Sequence, residues 1–194
     1  MGTAQKPTQA TSRFSLSAAA WLSIYNALVN VFWSLLAFVP VSIFWYRVME
    51  RTWLSVFVVV SVIPFILPTS KLKYLELGAN VRPYRKLGVP RVNKFVQHGR
   101  LINDLLRQKY PEYRRTISRA RATILVQNSY VQERFHWTVL LLFLLTSVYA
   151  TAHGYLRWAL LITVINVVYN LYPIWLQQYI RMRVDRLPSH KLNV

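Results

Sequence analysis

The chain has 194 residues, 54% hydrophobic and 14% aromatic, with 24 Lys and Arg against 6 Asp and Glu and a net charge of +18. Its apolar residues come in long blocks, unlike the alternation of a soluble core, so the expected class is a one-domain, all-α, polytopic integral membrane protein. Cysteine is absent, which excludes a disulfide, a thiol nucleophile and a Cys-ligated metal. The positive balance calls instead for an anionic neighbour.

Residues 1–17 form a polar tail without a cleavable signal. The first apolar run, Ala18 to Trp45, exceeds the roughly 20 residues needed to cross hydrocarbon and carries Asn26, Asn30 and Pro40, with a kink expected at the proline. The second, Trp53 to Pro68, is short and holds Pro64 and Pro68, so it reads either as a thin span or as a re-entrant piece. Together, residues 18–68 form an N-terminal hairpin. Residues 69–134 come next as a basic segment, with fifteen Lys and Arg between Ser70 and Arg134 against Glu76, Asp104, Glu112 and Glu133. The excess of positive charge places this segment, and both termini, in the cytoplasm. Within it, Phe95 to Leu106 and Tyr113 to Val131 read as amphipathic helices, with turns at Gly88–Pro90 and Tyr110–Pro111.

Two strong runs, Phe135 to Ala152 and Tyr155 to Trp175, form a C-terminal hairpin (residues 135–177) that turns at His153–Gly154–Tyr155. A basic tail, 178–194, closes the chain. Tryptophans such as Trp21, Trp45, Trp137, Trp158 and Trp175 lie near run ends, where indole prefers the interface. The expected architecture is therefore about four membrane-embedded helices, with a basic cytoplasmic helical segment between the second and third.

Polar residues at membrane depth are costly unless paired or functional. Asn166, Asn170, Pro173, Gln177 and Arg181 recur at helical spacing on the fourth run. Two readings stay open: amides that join helices by hydrogen bonds, worth about 0.6 to 2 kcal/mol each, or the wall of a cavity. On the third run, Glu133 and His136 are three residues apart, a spacing that lets a carboxylate orient an imidazole as a general base. If the hairpin turns near Gly154, His136 lies level with about Tyr172, and Glu133 with about Trp175. Acid, imidazole, amides and the Arg181 guanidinium then converge at one depth. No His pair has metal-ligand spacing, so no metal site is expected.

The motif Glu133–Arg–Phe–His136–Trp137, then a hydrophobic hairpin, then Asn170–Leu–Tyr–Pro173–Ile–Trp–Leu–Gln177–Gln178–Tyr179–Ile180–Arg181–Met–Arg183 resembles the glycosyl-4,4'-diaponeurosporenoate acyltransferase family. The stretch Arg82 to Gly99 is similar to that family's basic central segment. The chain departs from the family pattern at Gln178, where Arg is usual, and at Ile180, where Asn is usual. The resemblance implies a membrane enzyme of the bacterial inner membrane that places a fatty acyl chain on the sugar of a glycosylated C30 carotenoid. On that reading His136 and Glu133 are the catalytic candidates, and Asn166, Asn170, Gln177, Arg181, Arg183, Trp137 and Tyr179 the substrate-binding ones. No cofactor is expected beyond an acyl donor, such as acyl-coenzyme A, as co-substrate. The partners expected are anionic lipid, the amphiphilic substrate and other membrane enzymes, with nucleic acid disfavoured. The rival reading is a non-catalytic membrane subunit or lipid-binding scaffold, in which the polar stripe only joins helices.

Overall fold

The computed structural model describes residues 17–93, 96, 100–111 and 119–185. Helix α1 spans Ala18–Arg47, α2 Arg51–Ser61, α3 Ile63–Ile66, α4 Thr69–Tyr74, α5 Arg82–Lys86, α6 Val89–Val92, α7 Arg100–Lys109, α8 Arg119–Ala152 and α9 Leu156–Asn166. A π-helical turn, Val167–Leu171, joins α9 to α10, Tyr172–Asp185. No strand occurs among the described residues. Of the expected tails, 1–17 and 178–194, residues 1–16 and 186–194 lie outside the described residues, as do the starts of both expected amphipathic helices, at Phe95 and Tyr113.

Among the described residues, three stretches are long and apolar enough to cross a membrane: Ala18–Arg47, Ala122–Ala152 and Leu156–Asp185. The expected second span is the exception. Arg51–Ile66 is shorter, and at about 1.5 Å per residue it reaches roughly 24 Å, against roughly 30 Å of hydrocarbon. Pro64 starts a separate short helix after Val62, and Leu67 turns extended before Pro68, because a proline disfavours helix at the residue before it. Pro40, by contrast, lies inside the continuous α1, as membrane helices tolerate. The last helix also runs on to Asp185, past the expected boundary at Gln177.

The C-terminal hairpin is the centre of the fold: α8 packs along α9 and α10, while α2 and α3 lie against α8, and α1 against α9 and α7. Its turn depends on backbone geometry. Gly154 has a φ of +78°, and the Tyr155 N–H closes the helix end on the Ala150 carbonyl at 2.8 Å. Two turns before Gly154, Ser147 Oγ meets Thr163 Oγ1 at 2.7 Å and donates to the Ala159 carbonyl at 3.1 Å. These hydroxyls inside the hairpin thereby find partners on the facing helix. Val41, Phe44, Phe143 and Ile162 fill the core without exposure, and Trp45 Nε1 donates to Thr146 Oγ1 at 3.1 Å. Leu28, Phe32, Leu35 and Leu36 of α1 and Leu156, Leu160 and Val164 of α9 point outward, as lipid-facing side chains do.

The basic segment is folded against the other end of the hairpin, away from the Gly154 turn. Leu72, Tyr84 and Val89 are fully buried, and Val89 follows Gly88 in a left-handed conformation, φ +74°. Val81, Tyr84 and Val89 form a second core with Leu176 and Tyr179 of α10. Helix α7 buries Ile102 and Leu106, and Lys109 Nζ sits 3.4 Å over the Trp21 ring of α1.

The hairpin turn yields a direct test. Gly154→Val would force a β-branched residue into the left-handed region, at about 1–2 kcal/mol. Its thermal midpoint in detergent, measured by size-exclusion fluorescence, is expected to fall by several degrees relative to wild type. Gly154→Asn is the comparison and should lose less, because asparagine tolerates that region and a new side chain there meets open space.

Candidate functional site

Two polar networks form along α8, one against the end of α9 and the π turn, the other against α10. The first is a directed chain. Asn166 Nδ2 donates to the Leu140 carbonyl at 3.0 Å, Asn170 Nδ2 donates to Asn166 Oδ1 at 2.8 Å, and His136 Nδ1 lies 3.3 Å from Asn170 Oδ1. A carbonyl can only accept, so Asn166 must turn its amide nitrogen to Leu140, and each later amide is then fixed in orientation. The last oxygen faces His136, so Nδ1 carries the proton and Nε2 is the lone-pair nitrogen. Asn166 and Asn170 are 8% and 0% exposed, whereas His136 is only partly buried.

The second network is centred on Glu133, which is 0% exposed. Its Oε2 pairs with Arg181 Nη2 at 2.6 Å, and its Oε1 accepts from Gln178 Nε2 at 2.7 Å and from Trp137 Nε1 at 3.4 Å. Arg181 also reaches Glu76 at 3.2 Å and Ser129 Oγ at 3.4 Å, and its guanidinium lies 4.0 Å over the Tyr130 ring. Gln178 uses its whole amide: Nε2 also donates to the Leu75 carbonyl at 3.4 Å, while Oε1 accepts from Tyr84 Oη at 3.0 Å and from Leu77 N–H at 3.3 Å. Burial, and then the charge of Glu76, push the Tyr84 hydroxyl up to about 12, so it remains a donor to Gln178.

The expected pairing of Glu133 with His136 is therefore corrected. The carboxylate is held by Arg181, Gln178 and Trp137, and the imidazole by Asn170. Three residues apart is near enough for contact, but the two side chains take their partners at different levels: Glu133 from Gln178 and Arg181 of α10, His136 from Asn170 of the π turn.

The expected stripe is corrected as well. In an unbroken α-helix Asn166, Asn170, Gln177 and Arg181 would share a face. The π turn at Val167–Leu171, in which Tyr172 N–H bonds five residues back to Val167, adds a residue and rotates α10 by about one residue, roughly 100°. Asn166, Asn170 and Arg181 stay on the buried face, Gln178 joins them, and Gln177 is half-buried beside it. Pro173 explains the turn's location. Its ring would clash with the carbonyl of Tyr169 four residues back, and it offers no N–H to satisfy it.

The family model described as glycosyl-4,4'-diaponeurosporenoate acyltransferase matches residues 68–190. The chain belongs to this acyltransferase family. Comparison with curated proteins and with solved structures gives no match. The family region contains both networks and the whole C-terminal hairpin, and the family's description ties the chain to acyl transfer in carotenoid biosynthesis.

Other expected residues of this acyltransferase are distributed more widely. Tyr179 is 5% exposed and packs near Tyr84, ring centroids 6.3 Å apart, in the second core. Arg183 is exposed, 5.9 Å over the Tyr179 ring. Beside His136, the structure brings in two residues that sequence reasoning missed. The Tyr169 ring meets His136 edge-on at 5.7 Å, and its hydroxyl lies 3.0 Å from Ser34 Oγ of α1. Asn26, Asn30 and Ser34, four residues apart on the first run, carried the signal for this third wall.

Removing Arg181 should be costly, because it leaves a buried carboxylate unpaired, a change worth about 3–5 kcal/mol. Arg181→Met is expected to cut the yield of folded protein sharply. Glu133→Leu combined with Arg181→Met should recover part of the loss. A double-mutant cycle on thermal midpoints checks the coupling.

Proposed function

We propose that the chain transfers a fatty acyl group to a sugar hydroxyl of a glycosylated carotenoid, with His136 as general base. The observation that carries this reading is the directed chain from the Leu140 carbonyl through Asn166 and Asn170 to His136. It fixes the imidazole so that Nε2 accepts a proton, much as a carboxylate or amide orients histidine in hydrolytic triads. Asn170 is then the positioning residue for His136, a role different from the direct substrate contact expected of it.

In this mechanism the acceptor hydroxyl gives its proton to His136 Nε2 as its oxygen attacks the acyl carbonyl. The new ester C–O bond forms, the bond to the donor's leaving group breaks, and the imidazolium returns the proton to that leaving group. Asn170 stabilises the imidazolium by accepting from Nδ1–H. Ser34 and Tyr169, at the depth of His136, supply hydroxyls suited to hold the sugar. The donor is a fatty acyl thioester, such as that of coenzyme A, or another activated acyl group, and Arg183 is the cation suited to meet its phosphate or carboxylate. The basic residues of 69–134 favour a cytoplasmic site in a bacterial inner membrane, with both ends of the chain on that side.

A non-catalytic membrane subunit is the second reading, favoured by one observation: the Asn166–Leu140 bond also joins two helices. The two readings part on mutation. His136→Ala is expected to lower acyl transfer by about 10²–10⁴-fold, the usual contribution of a general base, while the protein remains folded. Asn170→Leu should lower turnover less, with little change in acceptor KM. Acylated product measured by mass spectrometry in membranes carrying each variant is the check, and wild-type turnover by His136→Ala would end the mechanism.

A further inference from the structure

Away from His136, a groove of about 670 Å³ is lined by Thr69, Ser70, Lys73, Tyr74 and Tyr130. At roughly 100° per residue around α8, Tyr130 is displaced by about 120° from His136, and Arg134 by about 160°. The groove therefore flanks the seam on a different side from the proposed reaction centre. Its lining is rich in hydroxyls and carries the ammonium of exposed Lys73. Behind its edge, Arg134 Nη2 donates to Thr69 Oγ1 at 2.9 Å.

Arg134 is only partly satisfied by that bond. Its Nε is buried and has no hydrogen-bond partner among the described residues. No carboxylate among them pairs with Arg134 or Lys73; the nearby acids Glu133 and Glu76 are both held by Arg181. A half-buried guanidinium and an ammonium without a counter-charge favour an anion. The rest of the surroundings say what carries that anion. Immediately before the groove, Ile63, Phe65 and Ile66 are 50%, 51% and 74% exposed. An apolar strip thus passes, across Pro68, into a patch of hydroxyls and cations. Tyr130 forms a firm wall, because Arg181 stacks on its ring.

We propose that this groove binds the phosphate head group of an acyl-chain amphiphile, its phosphate between Lys73, Thr69 and Arg134 and its chain along Ile63, Phe65 and Ile66. The Thr69 and Ser70 hydroxyls and the Tyr74 phenol complete the donors. A membrane phospholipid and a soluble acyl thioester bearing phosphates share this chemistry, and they can be told apart by experiment.

The test is native mass spectrometry of the full chain in a neutral detergent, titrated separately with phosphatidylglycerol, phosphatidylcholine and a fatty acyl coenzyme A thioester. Uptake of one phosphatidylglycerol, weakened at least tenfold by Lys73→Gln and by Arg134→Gln, supports the site as a lipid site. Uptake of the thioester with the same sensitivity supports it as a phosphate site for a soluble acyl thioester. Uptake of neither phosphate ligand, uptake unaffected by the substitutions, or equally tight phosphatidylcholine would overturn the proposal. Lys73 is exposed, so Lys73→Gln, with an unchanged thermal midpoint, decides the matter if Arg134→Gln fails to fold. The readout is binding, so its outcome is separate from that of the His136 experiment.

Discussion

The buried pair between Glu133 and Arg181 is the interaction on which the rest depends. A carboxylate with no exposure is tolerable only with a cation and donors around it. Meeting that demand ties three parts of the chain together: Glu133 from α8, Arg181 and Gln178 from α10, and Glu76, Tyr84 and the Leu75–Leu77 backbone from the basic segment. The short helices α4 to α6 are too small to be stable alone. They are held because Tyr84 of α5 and the turn that follows α4 complete this network, and because Val81, Tyr84 and Val89 pack on Leu176 and Tyr179.

With Glu133 fully occupied, the histidine has to be held by other means, and the amides do so. Three hydrogen bonds in series, anchored on a helix carbonyl, set the direction of every donor up to the imidazole. Such a chain carries no net charge, which suits a position between apolar helices better than a second ion pair would. It also separates two tasks: the ionic network fastens the basic segment to the hairpin, and the neutral chain orients a histidine whose ring meets Tyr169. Tyr169 in turn reaches Ser34, so α1, which lies outside the region matched by the family model, still borders the candidate site.

The π turn links these features. Pro173 interrupts the ladder of backbone bonds, and the extra residue it provokes turns α10 so that Gln178 faces Glu133. Gln178 is also a position at which the resemblance implies a departure from the family pattern. In this structure its amide donates to Glu133 and the Leu75 carbonyl and accepts from Tyr84 and the Leu77 N–H. A guanidinium has no acceptor, so it could not take the last two bonds. The groove beside Tyr130 shares the wall of the ionic network, so an occupant there would bear on the same clamp.

By itself the sequence determined the helical class and the C-terminal hairpin with its turn at Gly154, and it singled out His136, Glu133, Asn166, Asn170 and Arg181 as polar groups at depth that need partners. Those features arise from apolar length, from glycine's freedom at positive φ and from the cost of polar groups at depth, all of which are local. Periodicity alone could not reveal the shift from Gln177 to Gln178, because a regular repeat assumes an α-helix and Pro173 breaks it. Nor could it reveal that Arg181 takes Glu133 away from His136, or that Ser34 joins Tyr169 from 135 residues away. Side-chain partners are chosen by competition among every donor and acceptor that packing brings within reach, and only the tertiary structure decides which ones those are.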